Sequence, residues 1–291
     1  MTEPRRETGI ALETVKTTDI CRVGCVSYIN SKPLIEGLDE FEGLEIDYKV
    51  PAELLEGLES DCVDIALCPV VDYFRSGEDL VIVPSSGIGC AGETYTVRLF
   101  SKVAIEEISE VYADADSHTS VALMRVILAK QYGVRPRLVK YKASERTVEG
   151  KPLASEPEAM LLIGDKVVTD CPNGEVYNHQ LDLGEAWWKL TGLPFVYATW
   201  LAKRGTYLGS LPEILSQTQE RNCEDAGAIA DKYAEKHGWP RDLAVKYFTE
   251  YLRYTIGIDE LAGIKQFAEL AAEVGVIDEA KKLVIYAGKK Q

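Results

Sequence analysis

Arg22-Val23-Gly24-Cys25-Val26-Ser27-Tyr28-Ile29-Asn30-Ser31-Lys32-Pro33 is the stretch on which the fold turns. Arg22 to Tyr28 is a short β-rich run, and Leu34 with Leu38 begins a helical turn directly after it. Pro33 suits the first turn of that helix, where its missing N–H costs nothing. A strand that feeds a helix through small polar residues points backbone N–H groups and the helix dipole at one spot, which suits an anion. The same join recurs at Ser117-His118-Thr119-Ser120, and a further strand ends on Ile163-Gly164-Asp165. Two such spots on different lobes would clamp a small molecule carrying two carboxylates.

Outward from these segments the chain alternates strands and helices. Leu44 to Val50, Val63 to Leu67 and Leu80 to Val83 read as strands, and Ala52 to Leu58 as an amphipathic helix with Leu54, Leu55 and Leu58 inward. Tyr95 to Ser101 is another strand, after which the pattern restarts. Val111 to Ala115 leads to a helix over Thr119 to Tyr132, ended by Gly133 as its left-handed cap. Arg137 to Tyr141, Ala159 to Ile163 and Phe195 to Ala202 are strands. Beyond Gly205 only helices are expected, over Pro212 to Gly238, Pro240 to Ile256 and Asp259 to Val274.

This rhythm predicts an α/β fold with mostly parallel sheets and two interleaved lobes. Residues 20–102 with 203–291 form the first lobe and residues 103–202 the second. The chain crosses near 101–110 and returns near 194–204, and the tail helices pack on lobe one. Residues 1–19 read as a flexible N-terminal extension. Clefts between lobes are where small ligands bind.

Composition narrows the partners. The 291 residues carry 32 Lys and Arg against 47 Asp and Glu, a formal charge of −15. That balance argues against nucleic acid or an anionic membrane surface, so a substrate anion needs local positive potential. No stretch approaches the ~18 consecutive apolar residues of a membrane span. The first twenty residues lack the apolar core of a signal peptide. Seven cysteines, an odd number with no Cys-x-x-Cys pair, indicate reduced thiols in the cytoplasm. Cys62 and Cys68 flank or lie in a buried-looking strand and are expected to pack in the core. His118, His179 and His237 are the only histidines and lack ligand spacing, so no metal is expected.

Each candidate site residue has a structural reading beside the functional one. The Asn30 amide can donate to a substrate oxygen or accept from a hydroxyl, or it can simply cap a helix, and Ser27 and Ser31 share that ambiguity. Thr119 or Ser120 stands near the N-cap of the most apolar helix, with His118 beside it as a proton donor or as an ordinary surface histidine. Gly164 permits close backbone approach. Asp165 can hold a hydroxyl or cap the next helix. The glycine-rich run Gly87 to Gly92 follows a strand without opening a helix, so it matches neither a dinucleotide nor a P-loop fingerprint. Hydrolase triads, zincins and kinase motifs are absent from the sequence.

Five blocks together resemble the chorismate dehydratases. Cys25 to Pro33 is similar to that family's Ser-Tyr-x-Asn-(Thr/Ser)-x-Pro opening, and Val63-Asp64-Ile65-Ala66-Leu67-Cys68-Pro69 to its Asp-(Ile/Val)-Ala-Leu strand. Asp116 to Leu123 resembles its Ser-x-Thr-Ser-Val-Ala-Leu helix start. Leu162 to Asp165, then Asp182-Leu183-Gly184-Glu185-Ala186-Trp187 through Gly192 to Val196, complete the set in order over about residues 20 to 205. The tail matches only in character. His118 stands where many relatives carry Arg, and Gly89-Cys90-Ala91 replaces a commoner Ala-Ser-x.

The resemblance implies a type II periplasmic-binding-protein fold and a cofactor-free hydro-lyase of the futalosine route to menaquinone. Such an enzyme removes water from chorismate to give 3-(1-carboxyvinyloxy)benzoate. Asn30 and Thr96 are then expected as orienting donors, with Asp165, His118 and a carboxylate of the substrate itself as the candidate proton acceptors. Ser27, Tyr28, Ser31, Cys90, His118, Thr119, Ser120 and Gly164 are expected around the substrate. Three other readings stand beside it: a carboxylate-binding protein of the same fold, the sister enzyme 1,4-dihydroxy-6-naphthoate synthase, and a ligand-sensing domain. The first wants an export signal, the second a Pro-Asn-Asp type opening, and the third a fused DNA-binding module.

Overall fold

In the computed structural model, which describes residues 21–114, 117–141, 147–148, 151–152 and 156–288, two five-stranded sheets face a common cleft. The expected extension over residues 1–19, like Asp116 of the helix-opening block, lies outside the described residues. The strands are β1 (Cys21–Cys25), β2 (Leu44–Tyr48), β3 (Ile65–Pro69), β4 (Leu80–Cys90), β5 (Val97–Ser101) and β6 (Glu110–Asp114). They continue with β7 (Arg137–Tyr141), β8 (Thr147–Val148), β9 (Lys151–Pro152), β10 (Ala159–Ile163), β11 (His179–Asp182) and β12 (Phe195–Lys203). The helices are α1 (Lys32–Ile35), α2 (Pro51–Glu59), α3 (Val70–Arg75), α4 (His118–Gln131) and α5 (Lys166–Thr169). After them come α6 (Leu183–Thr191), α7 (Leu211–Glu224), α8 (Ala226–Tyr233), α9 (Arg241–Lys246) and α10 (Ile258–Glu273). No helix among the described residues is long and apolar enough to cross a membrane.

The first sheet has the order β2-β1-β3-β12-β4 and the second β11-β5-β10-β6-β7, with β8 and β9 as a separate hairpin. Both sheets are mixed rather than mostly parallel. β1 runs parallel to β2 and β3, but β12 is antiparallel to β3 and β4. β6 runs parallel to β7 and β10, but β5 is antiparallel to β10 and β11. The antiparallel members are the strands that arrive from the other sheet. They put the crossings at residues 91–96 and 183–194, earlier than the expected 101–110 and 194–204. The boundaries drawn at 102 and 202 accordingly move to before β5 and before β12. Cys90 pairs with Phe195, so the two crossings leave the first sheet side by side.

Burial follows from these layers. Every residue of β3 is buried, because helices cover both faces of its sheet. Leu54 and Leu58 of α2 are buried as their spacing requires, and Gly24 of β1 lets Leu54 approach to 3.1 Å of where a Cβ would stand. Tail residues Leu211, Leu215, Ile229, Trp239 and Tyr247 share a core with Val23, Ile65 and Leu67 of the first sheet. Cys68 is buried as expected, whereas Cys62 is exposed, because β3 begins only at Ile65 and leaves Cys62 in the preceding turn.

Several elements depart from the sequence reading. β4 continues through the glycine run as far as Cys90. A Cβ at Gly87 would sit 2.7 Å from the Ala198 oxygen, and one at Gly89 2.7 Å from the Phe195 oxygen. These glycines therefore serve strand packing rather than a loop. The first tail helix breaks at Asp225, whose side chain caps α8 by accepting from Ala228 N at 3.2 Å. The second passes from α9 into a π turn over Tyr247–Tyr251. The short elements α3, β11 and α5 lack enough residues for a periodic signal.

Gly263 marks where α10 docks on the return crossing, since a Cβ there would collide with the Pro194 oxygen. Backbone on both sides leaves nothing flexible to yield. Gly263→Ala is expected to destabilise the protein by about 1–3 kcal/mol through overpacking, despite alanine's ~1 kcal/mol helix advantage. Urea unfolding checks this, and an unchanged or raised midpoint would mean that α10 shifts freely.

Candidate functional site

The cleft encloses about 890 Å3 including its open mouth. It gathers residues from segments far apart in the chain. Tyr28 and Asn30 come from the turn after β1, Thr94 and Thr96 from the first crossing, and Tyr197 from β12. Ser117, Thr119 and Ser120 come from the start of α4, and Gly164, Asp165 and Lys166 from the end of β10. Carboxyl ends of sheet strands thus face the ligand space, as open α/β sheets dictate. Asp165 and Lys166 are the only ionisable acid and base side chains among the described lining residues, apart from the tyrosines.

Of the expected site residues, Tyr28, Asn30, Thr96, Thr119, Ser120, Gly164 and Asp165 line this cleft. Ser27, Ser31, Cys90 and His118 do not. Ser27 is exposed outside it. Ser31 is buried, and its hydroxyl reaches the Val26 and Tyr28 carbonyls, both at 2.8 Å, so it ties the turn that presents Asn30. Cys90 is 1% exposed behind the wall, its sulfur 3.8 Å from the Tyr197 hydroxyl. Burial pushes its thiol up to about 11, which keeps it neutral and unreactive near neutral pH. His118 turns away to Asp72, with Nδ1 2.9 Å from the carboxylate.

Thr119 and Ser120 stand near the N-cap of α4 as expected. The cap itself is Ser117, its hydroxyl accepting from Ser120 N at 3.3 Å. Thr119 and Ser120 are thereby in the first turn, both buried, with the positive end of a 14-residue helix at the cleft wall. Thr119 Oγ1 accepts from Val71 N at 3.3 Å, joining the starts of α3 and α4.

Asp165 is held from the tail. His237 Nδ1 lies 2.8 Å from one carboxylate oxygen, and Trp239 Nε1 donates to the other at 2.9 Å. Both carboxylate oxygens are thereby engaged by side chains of the tail. Gly164, at φ +58°, gives its N–H to the Thr96 carbonyl at 2.8 Å, so the end of β10 is registered on the crossing segment. Thr96 Oγ1 lies 2.6 Å from the hydroxyl of Tyr247, a residue for which the sequence offered no motif. Asn30 Oδ1 is buried and has no hydrogen-bond partner among the described residues.

Asp182 organises the crossing itself. Its carboxylate accepts from Thr94 N at 3.0 Å, Tyr95 N at 2.8 Å and Glu185 N at 3.0 Å, the last as the N-cap bond of α6. Burial raises its pKa, and the backbone N–H groups and Arg98 oppose that rise. Tyr95 is held at φ +68°, a conformation that a side chain rarely adopts without such support. Two residues on, a Cβ at Gly184 would stand 2.6 Å from both Cys90 Sγ and the Gly92 oxygen. The Asp182-Leu183-Gly184-Glu185 block thus acts through packing and capping. Asp182→Ala is expected to cost about 2–4 kcal/mol, since it strands buried N–H donors, while Asp182→Asn retains an acceptor and loses less. Denaturant midpoints of the two variants check the order, and equal midpoints for Ala and wild type would show the crossing to be held elsewhere.

Comparison with known proteins agrees with this architecture. The menaquinone biosynthesis family model matches residues 21–273. The chorismate dehydratase of Thermus thermophilus is 30% identical over 264 residues, covering 85% of this chain and 93% of the relative. An X-ray structure from Archaeoglobus fulgidus superposes with a TM-score of 0.66 at 17% identity, covering 88% of this chain and 98% of the other. A Candida albicans gene product described as having the generic periplasmic-binding-protein fold gives a TM-score of 0.56 at 12% identity, covering 93% and 99%. The architecture is therefore an α/β periplasmic-binding-protein fold. With the family match running through both sheets and the cleft between them, the chain belongs to the menaquinone biosynthesis family.

Proposed function

We propose that this cleft dehydrates chorismate to 3-(1-carboxyvinyloxy)benzoate, in the cytoplasm and without a cofactor, as a step of menaquinone synthesis through futalosine. The observation that carries the reading is the meeting of Asn30, Thr96, Thr119 and Ser120, from three separated segments, on one cleft of a chain in this family. Chorismate carries a ring carboxylate and an enolpyruvyl carboxylate. In a chain of net charge −15, long-range attraction of that dianion is absent. Affinity rests instead on the dipole and hydroxyls at the start of α4 and on Lys166.

The chemistry follows from the ring. Ether and hydroxyl are trans, so the hydrogen geminal to the ether lies on the hydroxyl's face, and loss of both is a syn elimination that aromatises the ring. Removing that hydrogen gives a dienolate conjugated to the ring carboxylate. Donors aimed at this carboxylate stabilise the developing charge more than the ground state. Asp165, with both oxygens already accepting or facing N–H groups, acts in this reading as an anchor of the wall rather than as the base. A carboxylate of the substrate itself takes the proton and passes it to the departing hydroxyl on the same face, which leaves as water as the ring aromatises, an intramolecular step that needs only a fixed geometry. Asn30 and Thr96 supply that geometry.

Incubation of the purified protein with chorismate is expected to yield the aromatic enol ether, with turnover persisting after exhaustive chelation. Ser120→Ala should lower kcat/KM by roughly 10- to 150-fold, the value of one hydrogen bond to a charged group. Asn30→Ala should reduce kcat more than it raises KM. Asp165→Asn should keep most of kcat. Tight chorismate binding without product would instead favour a carboxylate-binding protein of the same fold, and wild-type kinetics in both the Ser120 and Asn30 variants would show that the site is misplaced.

A further inference from the structure

The C-terminal tail enters the cleft at one point that no sequence motif marked. Where α9 ends, the chain makes a π turn over Tyr247–Tyr251, closed by Leu252 N donating to the Tyr247 oxygen at 3.0 Å. Such single-turn bulges recur at functional sites because the extra residue re-aims a side chain. Here it aims Tyr247 at the first crossing. The ring packs on Trp239 at 4.8 Å between centroids, and the residue is 1% exposed. Four residues on, Tyr251 packs on Tyr95 at 5.2 Å, and Arg253 bridges Gly89 through two 2.8 Å backbone bonds. The turn is thus fastened to the segment that carries Thr94 and Thr96.

Counting hydrogens defines what this arrangement offers a ligand. Tyr247 and Thr96 hold two hydroxyl hydrogens between them, and the 2.6 Å bond that joins them consumes one, whichever is the donor. The other remains for an acceptor in the cleft. Burial raises the pKa of the Tyr247 phenol and keeps it neutral, so its hydrogen is present. Asn30 Oδ1, in a residue of the same cleft lining, is buried and without a hydrogen-bond partner among the described residues. The cleft thus offers one O–H and one carbonyl oxygen, a pair complementary to a ligand alcohol, which both accepts and donates. Among the oxygens of chorismate at neutral pH only the ring hydroxyl can do both.

We propose that Tyr247 is a positioning residue for the elimination: its hydroxyl sets the direction of the Thr96 hydroxyl, so that Thr96 and Asn30 together grip the departing hydroxyl of the substrate. This rests on the dehydratase reading above. Tyr247→Phe removes one oxygen and preserves the ring packing on Trp239. Its kcat is expected to fall about 10- to 100-fold with KM changed less than about threefold, the split expected when orientation rather than binding is lost. Thr96→Val should fall similarly, Thr96→Ser should retain near-wild-type kcat, and the Tyr247→Phe/Thr96→Val double variant should be little worse than the poorer single one. Wild-type kcat in Tyr247→Phe, multiplicative losses in the double variant, or a loss in Thr96→Ser equal to that in Thr96→Val overturns the proposal while the dehydratase reading stands. A wild-type chain that does not turn chorismate over overturns both.

Discussion

The carboxylate of Asp182 accepts N–H groups from Thr94, Tyr95 and Glu185, and the geometry of the cleft depends on that arrangement. The first crossing has no sheet ladder of its own between Cys90 and Val97, so its backbone donors need another acceptor. One buried side chain at the start of α6 supplies it and caps the helix at once. With Tyr95 held at positive φ, Thr94 and Thr96 line the cleft, and Gly164 registers on the Thr96 carbonyl. The tail then seats its π turn on the same segment through Tyr247 and Tyr251. Both sheets and the tail therefore meet on six residues of crossing chain.

Charge near the cleft is managed by pairing. Asp72, buried after β3 of the first sheet, faces His118 at the start of α4, which follows β6 of the second. Asp165, after β10 of the second sheet, faces His237 and Trp239 of the tail that packs on the first. Two of the three histidines thus hold a carboxylate across the boundary between the sheets. A protein of net charge −15 keeps these acids bonded to N–H groups, which lessens their repulsion of an anion in the cleft.

Much of the secondary structure was legible because it rests on local periodicity. The helix over Thr119 to Tyr132 with Gly133 as its cap differs from α4 by one residue at each end, and Gly133 stands at φ +70°. Ala159 to Ile163 coincides with β10, and Phe195 to Ala202 with all but the last residue of β12. Sheet membership was not legible. Val97–Ser101 has the same strand character whichever sheet it joins, and antiparallel pairing with β10 and β11 depends on contacts more than fifty residues away. The glycine-rich run Gly87 to Gly92 carries no strand periodicity of its own, yet β4 continues through it as far as Cys90 by pairing with β12, whose Ala198 and Phe195 oxygens leave no room for a Cβ at Gly87 or Gly89.

For the site, the sequence by itself determined which small polar residues end strands and open helices, and Asn30, Thr119, Ser120, Gly164 and Asp165 of that set line one cleft. That signal is local, since hydroxyls, amides and glycines at strand-to-helix joins are needed for backbone geometry within a few residues. Only the tertiary structure decided which neighbours face away. Ser31 spends its hydroxyl on its own turn, Cys90 lies behind Tyr197, and His118 finds Asp72. The tertiary structure alone also showed that Asp182 holds Thr94 and Tyr95, that His237 and Trp239 hold Asp165, and that Tyr247 meets Thr96, hydrogen bonds that span from 72 to 151 residues of chain. Hydrogen bonds at that separation leave no periodic trace in sequence, because they are selected by the packing of two sheets and a tail rather than by the conformation of any one segment.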